Sequence, residues 1–344
     1  MLNKPPTIKD IARQLNISVS TVSRAIRNAS DVSAETKKTV MALVEELNYQ
    51  PNQLALNLRS KQTHTIGVIV PNLDYVLSMM VRGIDEVALE AGYTVIICQS
   101  NESYGREILN ARRLLDRGVD GFIVSVSSET NSFDHFKKIQ EKNIPMVVFD
   151  RVASQLKAPS VRIDNTGGGF MATEHLIEQG YKRIAVLAGP QNLEISNSRL
   201  DGYKNALKKH KIKIDPSLII HCDFNQDYAF FATEELLSLK KRPDAIFTIS
   251  DRMALGAMLA IKKKGLQMPN DIGLIGFNDE PVLNLLTPSI SSIEQPSFEV
   301  GKLAAKLFIE TMHNMDNIDL SERIIKTKLI ARESSLKINA KKLK

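Results

Sequence analysis

The chain has 344 residues, a formal net charge of +6, 43% hydrophobic residues and two cysteines. Such a length exceeds one small domain, and the hydrophobic content is ordinary for a globular protein. Cys98 and Cys222 lie far apart in strand-like apolar runs and no apolar run approaches a membrane span, which argues against a disulfide scaffold, a cysteine-based metal site and a transmembrane protein. The first predicted element covers residues 7–15, where Ile8, Ile11, Ala12 and Leu15 form the apolar stripe of a short helix. Thr7 is its N-cap, with Asp10 three residues on as a weak capping box. Asn16 breaks it, because asparagine tolerates the left-handed conformation of a tight turn. Ser18 caps a second helix over 19–27 with Val22 and Ile26 on its inner face. Two short helices across a three-residue turn make a helix-turn-helix. The second helix exposes Val19, Ser20, Ser23 and Arg24, so it can lie in a major groove. Ser33 caps a third helix bearing Val40, Leu43, Val44 and Leu47, which closes a small three-helix core. Pro51 ends that run, and a short helical segment follows over 52–60, too brief to be stable alone. Residues 1–61 hold nine basic and five acidic side chains. That modest excess fits phosphate neutralisation, and equally fits a solvated basic face.

From Thr63 onward short β-branched runs alternate with helical stretches. Strands are expected over 65–70, 93–98, 121–125 and 145–149, with helices over 76–91 and 104–117. A second set begins near Val161, with strands over 183–188, 218–222, 245–249 and 272–277. Near-continuous apolar strands alternating with helices imply parallel sheets covered on both faces. Two sets imply two doubly wound α/β lobes, with ligands at the carboxyl ends of the strands. Gly167-Gly168-Gly169 suggests a phosphate cradle but lacks the lysine and spacing of a P-loop; close packing of a helix start explains it better. The histidines show no metal spacing with the cysteines, and no serine or cysteine nucleophile motif occurs. No cofactor and no enzymatic activity are expected. The N-terminus runs from Met1 into a polar helix without an apolar signal segment, so a cytoplasmic location is expected.

Thr7-Ile8-Lys9-Asp10-Ile11-Ala12, Val19-Ser20-Thr21-Val22-Ser23-Arg24, Leu47-Asn48-Tyr49-Gln50-Pro51-Asn52 and the segment from Ala55 to Leu58 together resemble the lactose repressor family of bacterial transcription regulators. Order and spacing both match, and the resemblance continues to about residue 335. It implies a helix-turn-helix DNA-binding domain over 1–50, a hinge helix linker over 51–61 and an effector-binding domain over 62–335. It also implies a basic tail over 336–344. The effector module of that family resembles the type I periplasmic sugar-binding fold, whose chain crosses between lobes three times. By analogy the crossings fall at 161–164, 291–295 and 313–320. Lobe one is then 62–162 plus 293–319, and lobe two 163–291 plus 320–335.

The resemblance implies site residues as well. Arg24 is expected to read guanine, worth roughly 1–3 kcal/mol of discrimination. Val19 and Ser20 match the family's variable base-reading pair and are small here, which leaves the operator sequence open. Thr7, Ser18, Thr21 and Ser23 suit phosphate contacts, although simple helix capping serves equally well. Asn52 belongs to the same DNA-binding set. Leu58 matches the family leucine that wedges into the minor groove, and Ala55, one turn earlier, leaves room for close approach. In the cleft, Arg199 matches a family arginine that holds effector oxygens, and Ser250-Asp251 opens another family signature. Ser125, Asp150 and Asn278 end strands where ligands bind; Asp251 also suits a plain helix cap. Many members carry two aromatics where Val76 and Leu77 align, which leaves Tyr75 and Phe224 as the nearest residues to stack on a ring. The expected protein is a ligand-responsive regulator, most often a repressor in this family. It acts as a homodimer on double-stranded operator DNA, with a sugar or sugar derivative as effector and no membrane association. The tail after Arg332 lacks a heptad pattern, so a dimer and not a tetramer is expected. The rival expectations, a solute receptor and an enzyme with a doubly wound fold, lack respectively a signal segment and a catalytic constellation.

Overall fold

A computed structural model describes residues 6–49, 62–152, 155–315 and 317–337. The chain divides into two compact units, the first ending at Thr63 and the second beginning at His64.

The described residues of the first unit form three helices, α1 (Ile8–Gln14), α2 (Val19–Ile26) and α3 (Ala34–Glu46). Their ends are set by local chemistry. The Asp10 carboxylate accepts both the backbone N–H and the hydroxyl of Thr7, at 2.9 and 2.6 Å. Ser18 Oγ accepts the Thr21 N–H and Ser33 Oγ that of Thr36, the bonds that a serine N-cap makes with orphan donors of the first turn. Asn16 makes the α1–α2 turn at φ 52°, the left-handed conformation expected of it. Ile11, Ala12, Val22, Ala25, Val32 and Val40 form the core, with Ile26, Leu43, Val44 and Leu47 half-buried against it. The segment 51–61, where a hinge helix with Asn52, Ala55 and Leu58 is expected, and the tail from residue 338 lie outside the described residues.

In the second unit the chain runs β1 (Thr65–Val70), α4 (Tyr75–Glu90), β2 (Thr94–Gln99), α5 (Tyr104–Asp116), β3 (Gly121–Val124), α6 (Asp134–Gln140), β4 (Met146–Phe149) and β5 (Ser160–Ile163). It continues through α7 (Asn165–Glu178), β6 (Ile184–Ala188), α8 (Glu194–Lys209), β7 (Ile219–His221), α9 (Gln226–Leu237), β8 (Ala245–Thr248), α10 (Asp251–Lys263) and β9 (Gly273–Asn278). The last elements are β10 (Ser291–Glu294), α11 (Ser297–His313), β11 (Glu322–Ile325) and β12 (Lys328–Ile330). Two six-stranded sheets result, ordered β11-β5-β4-β3-β1-β2 and β12-β10-β9-β8-β6-β7. All pairings are parallel except the antiparallel edge pair β10–β12. Strands such as β1 are buried at nearly every residue, as expected when helices cover both faces of a sheet.

The strand at Val161 belongs to the first set and does not open the second, because it pairs with β4. The third crossing also differs from the expected 313–320. The segment after α11 first forms β11, which pairs with β5 in the first sheet, Glu322 opposite Ser160. Only after Ile325 does the chain join the second sheet as β12. The Arg162–Glu322 ion pair, at 2.7 and 2.8 Å, ties β5 to β11 from 160 residues away. Such a partner choice is invisible in a local pattern.

Glycines let helices touch where the site is built. A Cβ on Gly169 of α7 would lie 2.2 Å from the Arg199 carbonyl of α8, and one on Gly202 would lie 2.2 Å from the Thr166 carbonyl. The triple glycine therefore serves helix packing, and it seats the helix that carries Arg199.

Candidate functional site

Two surfaces carry the predicted residues. On α2, Ser18, Val19, Ser20 and Arg24 are exposed, while Thr21 and Ser23 are half-buried. Val19 is 41% exposed, an apolar side chain with no core to join. The Ser18 hydroxyl also lies 2.7 Å from Ser20 Oγ and 2.8 Å from Thr21 Oγ1. Ser18 and Thr7 thus act as helix caps, and a phosphate contact would add to that role. Arg24 Nη1 donates to Asp31 Oδ2 at 2.7 Å, with both side chains about half-exposed. An exposed pair of this kind is worth about 0–1 kcal/mol, so a stronger acceptor can recruit the guanidinium.

The second unit encloses a cavity of about 800 Å³ between its two sheets. Loops at the carboxyl ends of β1, β2, β4, β8 and β9 reach it, as the open-sheet rule requires. Asp150, Arg199, Phe224, Ser250 and Asn278 line it, and so do Val76 and Leu77. Three expected residues do not. Tyr75 begins α4 and stays 39% exposed outside the lining. Ser125 is fully buried behind β3, its Oγ without a partner. Asp251 is fully buried as well, and its carboxylate accepts the Glu280 N–H and the Ser292 hydroxyl, both at 2.8 Å. It fastens the loop after β9 instead of facing the cavity. Burial pushes the Asp251 carboxyl up to about 7, the two hydrogen bonds only partly opposing this.

Asn72, Asp74, Glu102, Arg151 and Gln295 also line the cavity and were not singled out from the sequence. Each follows the end of a strand, so the rule that found Asp150 would have found them if applied to every strand. Glu102 and Arg151 form a bidentate pair at 2.7 and 2.8 Å. Burial alone would lower the guanidinium, but the Glu102 bonds and charge win and raise it. Burial likewise pulls Glu102 upward, and Arg151 holds it below its ordinary value. Arg199 donates to Asn165 Oδ1 at 2.9 Å, the Ile249 carbonyl at 2.7 Å and Gln295 Oε1 at 3.3 Å. Its guanidinium stacks 3.7 Å from the Phe277 ring centre. Burial lowers Arg199 to about 10, so it stays charged at neutral pH. Gln295 in turn donates to Asp150 Oδ1 at 3.3 Å. A chain of bonds, Asp150–Gln295–Arg199, thereby links the two lobes across the cleft. Burial raises the Asp150 carboxyl in spite of the neighbouring arginines.

The lining backbone is strained. Glu102, Asp150 and Asn278 sit at φ 60°, 58° and 120°, a region that side chains other than glycine occupy at a cost of order 1–3 kcal/mol. Polar groups on both lobes, held in strained loops over a cleft, can clasp a small hydroxylated molecule and couple its binding to lobe closure. Among the described residues no helix is long and apolar enough to cross a membrane.

Comparison with known proteins agrees with both surfaces. A family profile described as "Bacterial regulatory proteins, lacI family" matches residues 7–52. One described as "Periplasmic binding proteins and sugar binding domain of LacI family" matches residues 63–333. The ribose operon repressor of Halalkalibacterium halodurans is 34% identical over 330 residues, covering 96% of this chain and 97% of that protein. The lac repressor dimer bound to operator and the anti-inducer ONPF superposes with a TM-score of 0.86 at 28% identity, covering 97% of this chain and 100% of the other. A complex of the transcriptional regulator CelR with cellobiose gives a TM-score of 0.74 at 28% identity, covering 96% and 99%.

Proposed function

The chain belongs to the LacI family of bacterial regulatory proteins, and we propose that it represses a carbohydrate-utilisation operon from the cytoplasm as a homodimer. It is a ligand-responsive, sequence-specific DNA-binding transcription regulator and not an enzyme. The carrying observation is one chain that joins a helix-turn-helix with an exposed polar recognition face to a two-lobed unit around a polar cavity. The ribose repressor and the cellobiose-bound regulator support a sugar as the effector.

In this reading each subunit places α2 in one half-site of a near-palindromic operator. Arg24, Val19 and Ser20 read base edges, while Thr7, Ser18, Thr21 and Ser23 position the helix on phosphates. In the proposed hinge over 51–61, which the family resemblance implies, Leu58 wedges into the minor groove, Ala55 leaves room for close approach and Asn52 belongs to the same DNA-binding set. Asp150, Arg199, Ser250 and Asn278 hold the effector's hydroxyls, and Phe224 flanks its ring. A ligand that inserts between Asp150 and Arg199 replaces the Gln295 relay and shifts lobe closure. Driving a two-state switch from 99:1 to 1:99 takes about 5.5 kcal/mol of differential binding, within reach of several charge-assisted hydrogen bonds. Edge strand β2 exposes Ile97, and α9 exposes Tyr228 and Phe231, at 58% and 64%. Apolar surface of that kind suits a symmetric contact with a second copy.

The test is selection of binding sites from a random duplex pool by the full-length protein, followed by titration of carbohydrates into the complex. A near-palindromic site whose occupancy responds to a sugar is expected. Absence of any preferred, salt-sensitive site would refute the reading.

A further inference from the structure

A second cavity, of about 410 Å³, adjoins the first. Both lobes build it. Lobe one supplies Thr130 and Asn131 from the loop after β3, with Arg162 and Glu322 from β5 and β11. Lobe two supplies Asn192 and Glu194 from the entry to α8. Ser128, Arg151 and Ile195 line both cavities and form the partition between them. The partition is thin and polar. Glu102 draws back both Nη atoms of Arg151, and the Asn192 side-chain amide donates to the Ser128 carbonyl from lobe to lobe. Each volume lies in the roughly 300–1,000 Å³ range of small-molecule sites, and the two meet at these three shared lining residues.

The charges say what the two cavities accept. Asp74, Glu102, Glu129, Asp150, Asp223 and Glu280 face the main cavity against Arg151, Arg199 and Arg252. Arg151 is committed to Glu102, and Arg199 is held by Asn165 and Ile249, with only its 3.3 Å bond to Gln295 open to exchange for a ligand. Arg252 lies near Glu280 and offsets part of that carboxyl's burial. In the second cavity Arg162 is committed to Glu322. Among the described residues no pair of cations without such partners faces a phosphate or a carboxylate in either space. What remains are hydroxyls, amides and carboxylate oxygens, the partners that neutral hydroxyl groups require.

We propose that the effector is an uncharged saccharide of at least two sugar units, one in the main cavity and the next beyond Arg151 in the adjoining one. This rests on the sugar-effector reading above and adds length and charge to it. A single ring would leave the second cavity, which both lobes line, unfilled when the lobes close. A second unit supplies its hydroxyls there.

Isothermal titration of the full-length protein tests this with matched probes: glucose, xylose and galactose against cellobiose, maltose, xylobiose and lactose, with glucuronate and glucose 6-phosphate as anionic controls. At least one disaccharide is expected to bind about tenfold or more tighter than its own monosaccharide, about 1.4 kcal/mol. Asn131→Trp, and separately Gln155→Trp at another residue lining the second cavity, fill that cavity and should erase the advantage while leaving monosaccharide affinity unchanged. A monosaccharide that binds as tightly as its dimers, or tryptophan variants that leave the disaccharide advantage intact, would overturn the proposal yet leave the sugar reading standing. Preference for an anionic sugar would overturn the charge argument. If operator binding is intact and no carbohydrate binds, both readings fall.

Discussion

Neutralising Glu102 should destabilise the effector-binding unit more than deleting the Arg151 charge does. The Arg151 side chain is 8% exposed and that of Glu102 is 34% exposed. In Glu102→Gln the guanidinium stays buried and loses its hydrogen-bonded counter-charge, with Asp150 and Asp74 left as more distant ones. Breaking a fully buried pair in this way costs roughly 3–5 kcal/mol, and the partial exposure of Glu102 places this case near the lower end, about 3 kcal/mol. In Arg151→Met the orphan is the carboxylate. It reaches water and keeps the Ser128 N–H at 2.8 Å and the Asn72 amide at 3.3 Å, so the loss should be about 1 kcal/mol. The double replacement Glu102→Met with Arg151→Met removes both charges and should be more stable than Glu102→Gln alone. Thermal unfolding of the full chain, followed by circular dichroism, reads the differences. At roughly 2–4 °C per kcal/mol for units of this size, the two single variants should separate by about 4–8 °C, with Glu102→Gln the lower. Equal midpoints, or Arg151→Met as the weaker of the two, would refute the claim that the guanidinium is the costly buried partner.

Arg24→Ala should weaken binding to the selected operator by roughly 1–3 kcal/mol while leaving binding to unrelated duplex nearly unchanged; fluorescence anisotropy on both DNAs decides, and equal losses would reassign Arg24 to phosphate. Arg199→Ala should remove the carbohydrate response of operator occupancy at nearly unchanged operator affinity in a variant that circular dichroism shows folded, and an unshifted response curve would take Arg199 out of the site. The folded-state value of the Asp251 carboxyl, about 7, lies above its ordinary 3.8. Its ionisation therefore opposes folding: the group costs nothing below pH 4, and stability falls as pH rises from about 4 to about 7 and then levels. Asp251→Asn should flatten that slope, so the difference in melting temperature between variant and parent should move in the variant's favour across the window; a pH-independent difference would contradict the burial argument.

Much of the headpiece was readable residue by residue because its determinants are local. Ser18 and Ser33 cap the helices that follow them, and Asn16 adopts the left-handed turn between α1 and α2. The apolar spacing that predicted those helices is the spacing that closes their core. The strands of both lobes were readable for a similar reason, since burial on both faces demands uninterrupted apolar runs. Strand ends pointed to Asp150 and Asn278, the family resemblance to Arg199 and Ser250, and the search for a stacking aromatic to Phe224, all of which line the cavity.

Orientation and partnership were not readable. Ser250 and Asp251 are adjacent, yet one lines the cavity and the other turns inward to hold Glu280 and Ser292. Ser125 ends a strand and is buried, while Tyr75 begins a helix and faces outward. Glu102 and Arg151 meet across 49 residues, and β11 joins the first sheet through Arg162. Periodicity and capping depend on neighbours within a turn or two of chain, so composition and order determine them. Which lobe a late strand joins, and which carboxylate a buried guanidinium meets, depend on contacts that exist only after the sheets have assembled, and there the tertiary structure alone decides.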